Sequence, residues 1–422
     1  MYWRNVLWCR FVAVVLALVL MLSVLTACGG GGKVVETPTP TATATTTAAP
    51  TATPTPTVIT TATPTPTPAG PVKIGVLHDF SGADASSGGY YGVRLIQLVS
   101  KQVKDQGGIL GGREVDLIKY DGASTVSGIL TAAKAAVSKD HVSVICMGGS
   151  SSVNGEALSK FAEENHTLYV NLFVLPLDIS NLKYTIRPGY RLDEMNAMAD
   201  YAVKVLGAKK VAIFARDAQE DHMYGEQWTK TVNDAGGQIV YEQYYALGTG
   251  DLSPYLTQIK FKNPDVLLTD LLLPDNVTMA IQMNGLGGWG NIKVFCSMAG
   301  AFAVGKQGTE GWYVYARWLP GMDNPGSKKF QQDYKAMFGT GTDPDCIMEL
   351  MLEPIWWSIK AVELAGTDEP EAVARAARSG NLTWDGPEGF QTMGTDGEVT
   401  PKYRLLAQVQ NNKTLVAVPP WE

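Results

Sequence analysis

The sequence predicts an α/β body of two doubly wound parallel-sheet lobes, and three observations predict it. From Val72 onward short β-branched runs alternate with helical patterns, and strands separated by helices build right-handed crossovers and parallel sheets covered on both faces. Eight such runs exceed one small sheet, and a second series starts near Val211 after the irregular stretch YTIRPGYR (184–191). About 350 residues remain from Val72, too many for one ordinary core and comfortable for two.

A leader precedes this body. Residues 1–10 carry Arg4 and Arg10, residues 11–25 (FVAVVLALVLMLSVL) are almost wholly apolar, and Leu25-Thr26-Ala27 runs into Cys28. That order makes residues 1–27 a secretory signal. The cysteine after small residues resembles a bacterial lipobox, which implies cleavage before Cys28 and a diacylglycerol on its sulfur. The alternative is an uncleaved anchor, since about 20 apolar residues span a bilayer. Both place residues 29–422 outside the cytoplasm. Residues 28–70 join the cysteine to a Thr/Pro-rich linker, and from Thr37 to Ala69 no residue is charged or aromatic. Such a tract buries too little apolar surface to offset its ordering entropy. As polyproline II, at about 3.1 Å per residue, it reaches roughly 100 Å. It serves equally as a stalk or a slack tether, with threonines open to O-linked sugars.

Removing residues 1–27 takes away two arginines and no acid, moving the formal charge from −7 to −9. An acidic exported body without basic runs argues against nucleic acid and against an electrostatic grip on anionic lipid. Beyond Cys9 and Cys28, the three cysteines Cys146, Cys296 and Cys346 permit at most one disulfide and lack any C-x-x-C spacing. Cys146 and Cys296 end strand-like runs, the place of small buried hydrophobes. With four histidines, none two to five residues from another, no metal or cofactor is expected.

In chain order the strand candidates are 72–77, 114–120, 141–147 and 167–173, then 210–215, 238–245, 265–273 and 291–297. Between them lie helical segments such as 90–106, where Val93, Ile96, Val99 and Val103 share a face. Ligands of open parallel sheets sit beyond the carboxyl ends of strands, so the loops there hold the candidate residues. After the first strand, HDFSGADASSGGYYG (78–92) offers Ser81 beside glycines that let the backbone approach a ligand. After the third, MGGSSSVNGEALSKFAEE (147–164) sets Ser151 and Ser152 at a helix N-terminus, which favours a carboxylate or polarised carbonyl and also needs a cap. Phe173 ends the fourth strand run, Leu272 lies at the end of the seventh, and Met298 follows the eighth. In RDAQEDHMYGEQWTK (216–230), Tyr224 offers a ring face and hydroxyl, while His222 and Glu226 at i, i+4 form a solvated ion pair.

Enzyme motifs are missing from these loops. Ser152 stands where Gly-x-Ser-x-Gly needs its second glycine, no Gly-Lys-Ser/Thr ends a phosphate loop, and no G-x-G-x-x-G follows a strand. No nucleophile–base pair stands at the strand ends, so the expectation is a binding protein, not an enzyme.

The stretches VKIGVLHDFSG, YYGVRLIQLVSKQVKDQGGILGGREVDLIKYDGAST, GGSSSVNGEAL, MYGEQWTKTVNDAGGQIV and NPDVLLTD resemble, in order and spacing from Val72 to Val418, the leucine/isoleucine/valine-binding branch of type I periplasmic binding proteins. These are solute receptors of ABC importers. The resemblance implies lobes joined by three crossings, placed near Pro188, Arg317 and Thr400: one lobe of 71–188 and 317–399, the other of 189–316 and 400–422. A small solute binds between the lobes, the closed form meets the permease, and the receptor is a lipid-anchored monomer. Ser151 and Ser152 match the family's carboxylate site, and Tyr224 an aromatic that covers the ligand. Two positions depart: Leu172, Phe173 and Val174 replace small and hydroxyl residues, and Ser297-Met298-Ala299-Gly300 replaces the turn carrying the ammonium-binding acid. These favour a less charged, partly apolar or aromatic solute, such as an amide or a short or aromatic carboxylate, over a leucine-like zwitterion, with Asp270 or Asp275 as remaining sources of negative charge. Trp312 or Trp318 edges the cleft, and Trp356 and Trp357 belong to packing. An extracellular sensor passing its closed state to a signalling partner is the alternative.

Overall fold

The computed structural model describes residues 70–149, 151–340 and 343–418; the signal, Cys28 and the stalk fall outside them. The first segment runs β1 (Val72–His78), α1 (Val93–Asp105), β2 (Val115–Asp121), α2 (Val126–Lys134), β3 (Val144–Met147), α3 (Ser152–Asn165), β4 (Leu168–Asn171) and β5 (Thr185–Ile186). Its five strands form one parallel sheet in the order β2-β1-β3-β4-β5. The second segment runs α4 (Leu192–Asp200), β6 (Lys210–Arg216), α5 (Gln219–Asp234), β7 (Gln238–Tyr245), α6 (Ser253–Lys262), β8 (Val266–Asp270), α7 (Leu273–Gly285), β9 (Lys293–Cys296) and β10 (Tyr313–Ala316).

Three helices follow, α8 (Pro325–Phe338), α9 (Cys346–Ala365) and α10 (Pro370–Ala377), then the hairpin β11 (Thr383–Gly386) and β12 (Gly389–Thr392). The chain ends in β13 (Leu405–Gln410) and β14 (Thr414–Ala417), which add antiparallel to β10 and complete a seven-stranded sheet ordered β14-β13-β10-β9-β8-β6-β7. Strands β3, β4, β8 and β10 are buried throughout, as parallel strands under two helical layers must be, whereas the edge strands β2 and β7 stay partly exposed.

All eight expected strands are present. Three of them stop short of their apolar runs: β4 ends at Asn171 rather than Phe173, β8 at Asp270 rather than Leu273, and β9 at Cys296. Strands β5 and β10 to β14 lie outside the expected set, because they are short or alternate polar residues, as LLAQVQ does in β13. Helix α1 buries Leu95, Leu98, Val99 and Val103, a face rotated from the expected stripe, with Val93 and Ile96 only half-buried.

Helix α9 packs on β3 and β4 of the first sheet and also meets the short helix at 298–303 beside the second. It is buried from Cys346 to Ile359. Trp356 stacks on Trp384 of β11 and Trp357 meets the same ring edge-on, in packing. The placement of Trp312 and Trp318 at a cleft edge is corrected: both are buried, Trp312 against Trp289 and Trp318 against Phe330, with the Trp318 Nε1–H donating to Ser327 Oγ. Cys146, Cys296 and Cys346 are buried and unpaired. Among the described residues no helix is long and apolar enough to cross a membrane.

The chain leaves the first sheet after Ile186, returns to its cover after Ala316 and rejoins the second sheet at Leu405. These passages are tied together by buried charge. Arg187 pairs with Glu398, and its amide donates to the Gly397 carbonyl at 2.7 Å. Arg317, fully buried, donates to the Pro188 carbonyl at 2.7 Å, to the Gly189 carbonyl at 2.8 Å, and to both oxygens of Glu194 at 2.5 and 2.8 Å. The same guanidinium lies 3.4 Å from Glu353 of α9.

Candidate functional site

Where the carboxyl ends of the two sheets face each other lies a partly open chamber of ≈ 90 Å³. About 10–15 Å³ on this measure holds one water, so the chamber suits a small molecule rather than a chain. From the first sheet's side come Ser87, Phe173 and Val174, with Ile347, Leu350 and Met351 from the first turns of α9. From the second come Arg216, Glu220, Tyr224, Asp270, Leu272 and Met298. Tyr190, in the first passage between sheets, forms part of the wall, and its buried hydroxyl has no hydrogen-bond partner.

Arg216 ends β6, the strand KVAIFAR, so its side chain emerges at the sheet's carboxyl edge. Its Nη2 donates to Asp270 Oδ2 at 2.9 Å and lies 3.3 Å from Glu220. Its Nε is 2.9 Å from Asp221, though not aligned for a hydrogen bond. Burial pushes the Asp221 carboxyl well above the usual carboxylate range, against the pull of Arg216. Burial and the neighbouring acids also raise the Tyr224 phenol. On the opposite side His78 Nε2 is 2.8 Å from Ser87 Oγ, and burial lowers that imidazole to about 4, leaving it neutral at pH 7.

Four of the seven residues expected at the cleft line this chamber: Phe173, Tyr224, Leu272 and Met298. Three do not. Ser81 is exposed, its amide donating to Asp121 Oδ1 at 3.1 Å and its carbonyl accepting from Ser124, which turns the loop toward the sheet edge. Ser151 caps α3, accepting from the Val153 amide at 3.2 Å. Ser152 is fully buried and donates to Glu220 Oε2 at 2.7 Å, so it joins α3 to α5 across the cleft instead of facing a solute. Tyr91 and Phe302 make a second cross-cleft contact, with ring centroids 6.4 Å apart.

Asp270 lines the chamber, while Asp275 accepts from the Tyr245 hydroxyl at 2.6 Å away from it. The expected His222–Glu226 pair is replaced by His222 with Asp217 at 2.9 Å. Sequence reasoning passes over Arg216 and Glu220, although a charged residue closing an apolar strand signals the carboxyl edge. Ile347, Leu350 and Met351 have no local signal, because the fold alone brings α9 to the strand ends.

Among the described residues one acidic group has spacing for a shared cation: Glu349, Glu353 and Glu388, with oxygens within 4.8 Å of one another. It sits at the passages between sheets, where Arg317 already supplies a cation.

A family model described as periplasmic binding protein matches residues 71–414. No curated protein gives a match. Among solved structures, a leucine-binding protein of Thermotoga maritima shares 23% identity at a TM-score of 0.72, covering 82% of this chain and 98% of that one. An ABC-transporter solute-binding protein of Rhodopseudomonas palustris, in complex with 3,4-dihydroxybenzoic acid, shares 17% identity at 0.72, covering 82% and 96%. A branched-chain amino acid transporter substrate-binding protein of Streptococcus pneumoniae, in complex with isoleucine, shares 18% at 0.71, covering 83% and 100%. With that model spanning the body from Pro71 to Thr414, and with two sheets facing a shared chamber, the chain belongs to the periplasmic binding protein family.

Proposed function

We propose that this chain is an extracytoplasmic solute-binding receptor of an ABC importer, tethered to the membrane through lipid on Cys28 and delivering a small organic solute to a permease. The observation that carries the reading is the chamber at the facing strand ends, bounded by residues from both sheets and from the passages between them. We place the lobes at 71–188 with 317–399 and at 189–316 with 400–422, because sheet membership changes near those positions. Closing the lobes about the passages traps the solute, and the closed form is what a permease can distinguish from the empty one. The role is capture, not turnover.

A calorimetric screen of the full chain against a library of small amines, amides, carboxylates and amino acids should give at least one micromolar binder. Leu272→Trp, which fills the chamber from its wall, should then weaken that binder at least tenfold. A library without a binder, or a binder indifferent to Leu272→Trp, removes the chamber from the reading. Cys28→Ser should move the expressed protein from the membrane fraction to the soluble exported fraction; unchanged partition would leave the apolar leader as the anchor.

A further inference from the structure

We propose that the solute is an organic cation with an apolar body and no carboxylate, its charged head held between Glu220 and Asp270. This rests on the receptor reading above and names the solute class for the same chamber.

The chamber's lining carries one guanidinium, Arg216, against two lining carboxyls, Glu220 and Asp270. All three are at least nine-tenths buried. Asp221 stands behind them, fully buried, with burial raising its carboxyl, and it adds no positive charge to the group. One cation therefore faces two carboxylates, a surplus negative charge in a place where water does not screen it. Ser152 and Ser297 donate to Glu220 and Asp270, which orients these carboxylates without neutralising them. A cationic solute supplies the missing charge.

The wall opposite supplies no positive charge to match an anion. Phe173, Val174, Ile347, Leu350 and Met351 are apolar; of the two hydroxyls in the wall, Ser87 is engaged with His78, which is neutral at pH 7, and Tyr190 offers a single uncharged donor. A zwitterion set on the acidic floor would press its carboxylate against this apolar wall. A simple carboxylate would have to compete with Glu220 and Asp270 for Arg216. An amine whose hydrocarbon end meets Leu350 and Met351 leaves neither charge nor apolar surface unmatched, and the Tyr224 ring beside the floor adds a face that attracts cations.

The test is calorimetry on the full chain with two matched sets: 3-methylbutylamine, 3-methylbutanamide, 3-methylbutanoate and leucine, and phenethylamine, phenylacetamide, phenylacetate and phenylalanine. In at least one set the amine should bind tenfold or more tighter than its three counterparts. Glu220→Gln, checked for an unchanged melting profile, should weaken the amine at least tenfold and the amide less than threefold. A carboxylate, amide or amino acid that matches or beats its amine overturns the inference and leaves the receptor reading standing. So does any library binder that is anionic, zwitterionic or neutral. The absence of any binder in either set and in the library defeats the receptor reading itself.

Discussion

Arg317→Met should destabilise the folded body by about 3–5 kcal/mol, read as a lower denaturant midpoint with an unchanged slope. The cost comes from what is left behind. Glu194 is fully buried and takes two hydrogen bonds from this guanidinium, with the Tyr315 hydroxyl and the Arg191 amide as its other donors. Methionine fills similar volume but strands that carboxylate, along with the carbonyls of Pro188 and Gly189. Arg317→Lys keeps the charge and loses the fork, so it should recover only part of the loss. A midpoint shift worth less than about 1 kcal/mol for Arg317→Met would mean that solvent reaches this site or that the acid gives up its charge.

The same cluster should imprint a pH dependence of unusual sign. Burial, against the pull of Arg317, pushes the Glu388 carboxyl up from 4.5 to about 6. Glu349 and Glu353 are driven well above the usual range, by burial first and by Glu388 second. A raised acid binds its proton more tightly folded than unfolded. Its contribution is complete below about pH 4.5 and is lost as pH rises through about 6. At 1.36 kcal/mol per unit, Glu388 alone accounts for about 2 kcal/mol across that window. Urea unfolding at several pH values, taken as wild type minus Glu388→Gln, should show this decline; a flat or rising difference would place an ionised Glu388 in the fold at acid pH. The depressed surface acids, such as Asp265 and Asp368, act in the opposite direction, so the difference between proteins is the quantity to read.

Much of the architecture is legible in the sequence because buried parallel strands are continuous apolar runs, and all eight expected runs are strands. Their ends are less legible for a functional reason. Phe173, Leu272 and Leu273 prolong β-branched runs, yet they have left the strand and face the chamber, since a solute surface needs the same apolar side chains as a core. Hydroxyls at α3 draw attention as ligand donors, but Ser151 and Ser152 are used by the protein itself, as a cap and as a cross-cleft bond. The wall from α9 is about 170 residues from Phe173 in sequence, and no periodicity carries such a distance. Resemblance alone sets Arg317 at a passage between lobes; that it bonds to Pro188 and Gly189 of the first passage and to Glu194 is tertiary information only.

The bond from Ser152 to Glu220 bears on speed as much as on grip. Because it joins the halves directly, it favours the shut form whatever is inside, and entry waits on how often the halves part. If shut receptors outnumbered gaping ones by about ten to one, uptake from dilute surroundings would slow by about the same factor. In a receptor that opens and shuts, Ser152 would thus trade hurried scavenging against long retention.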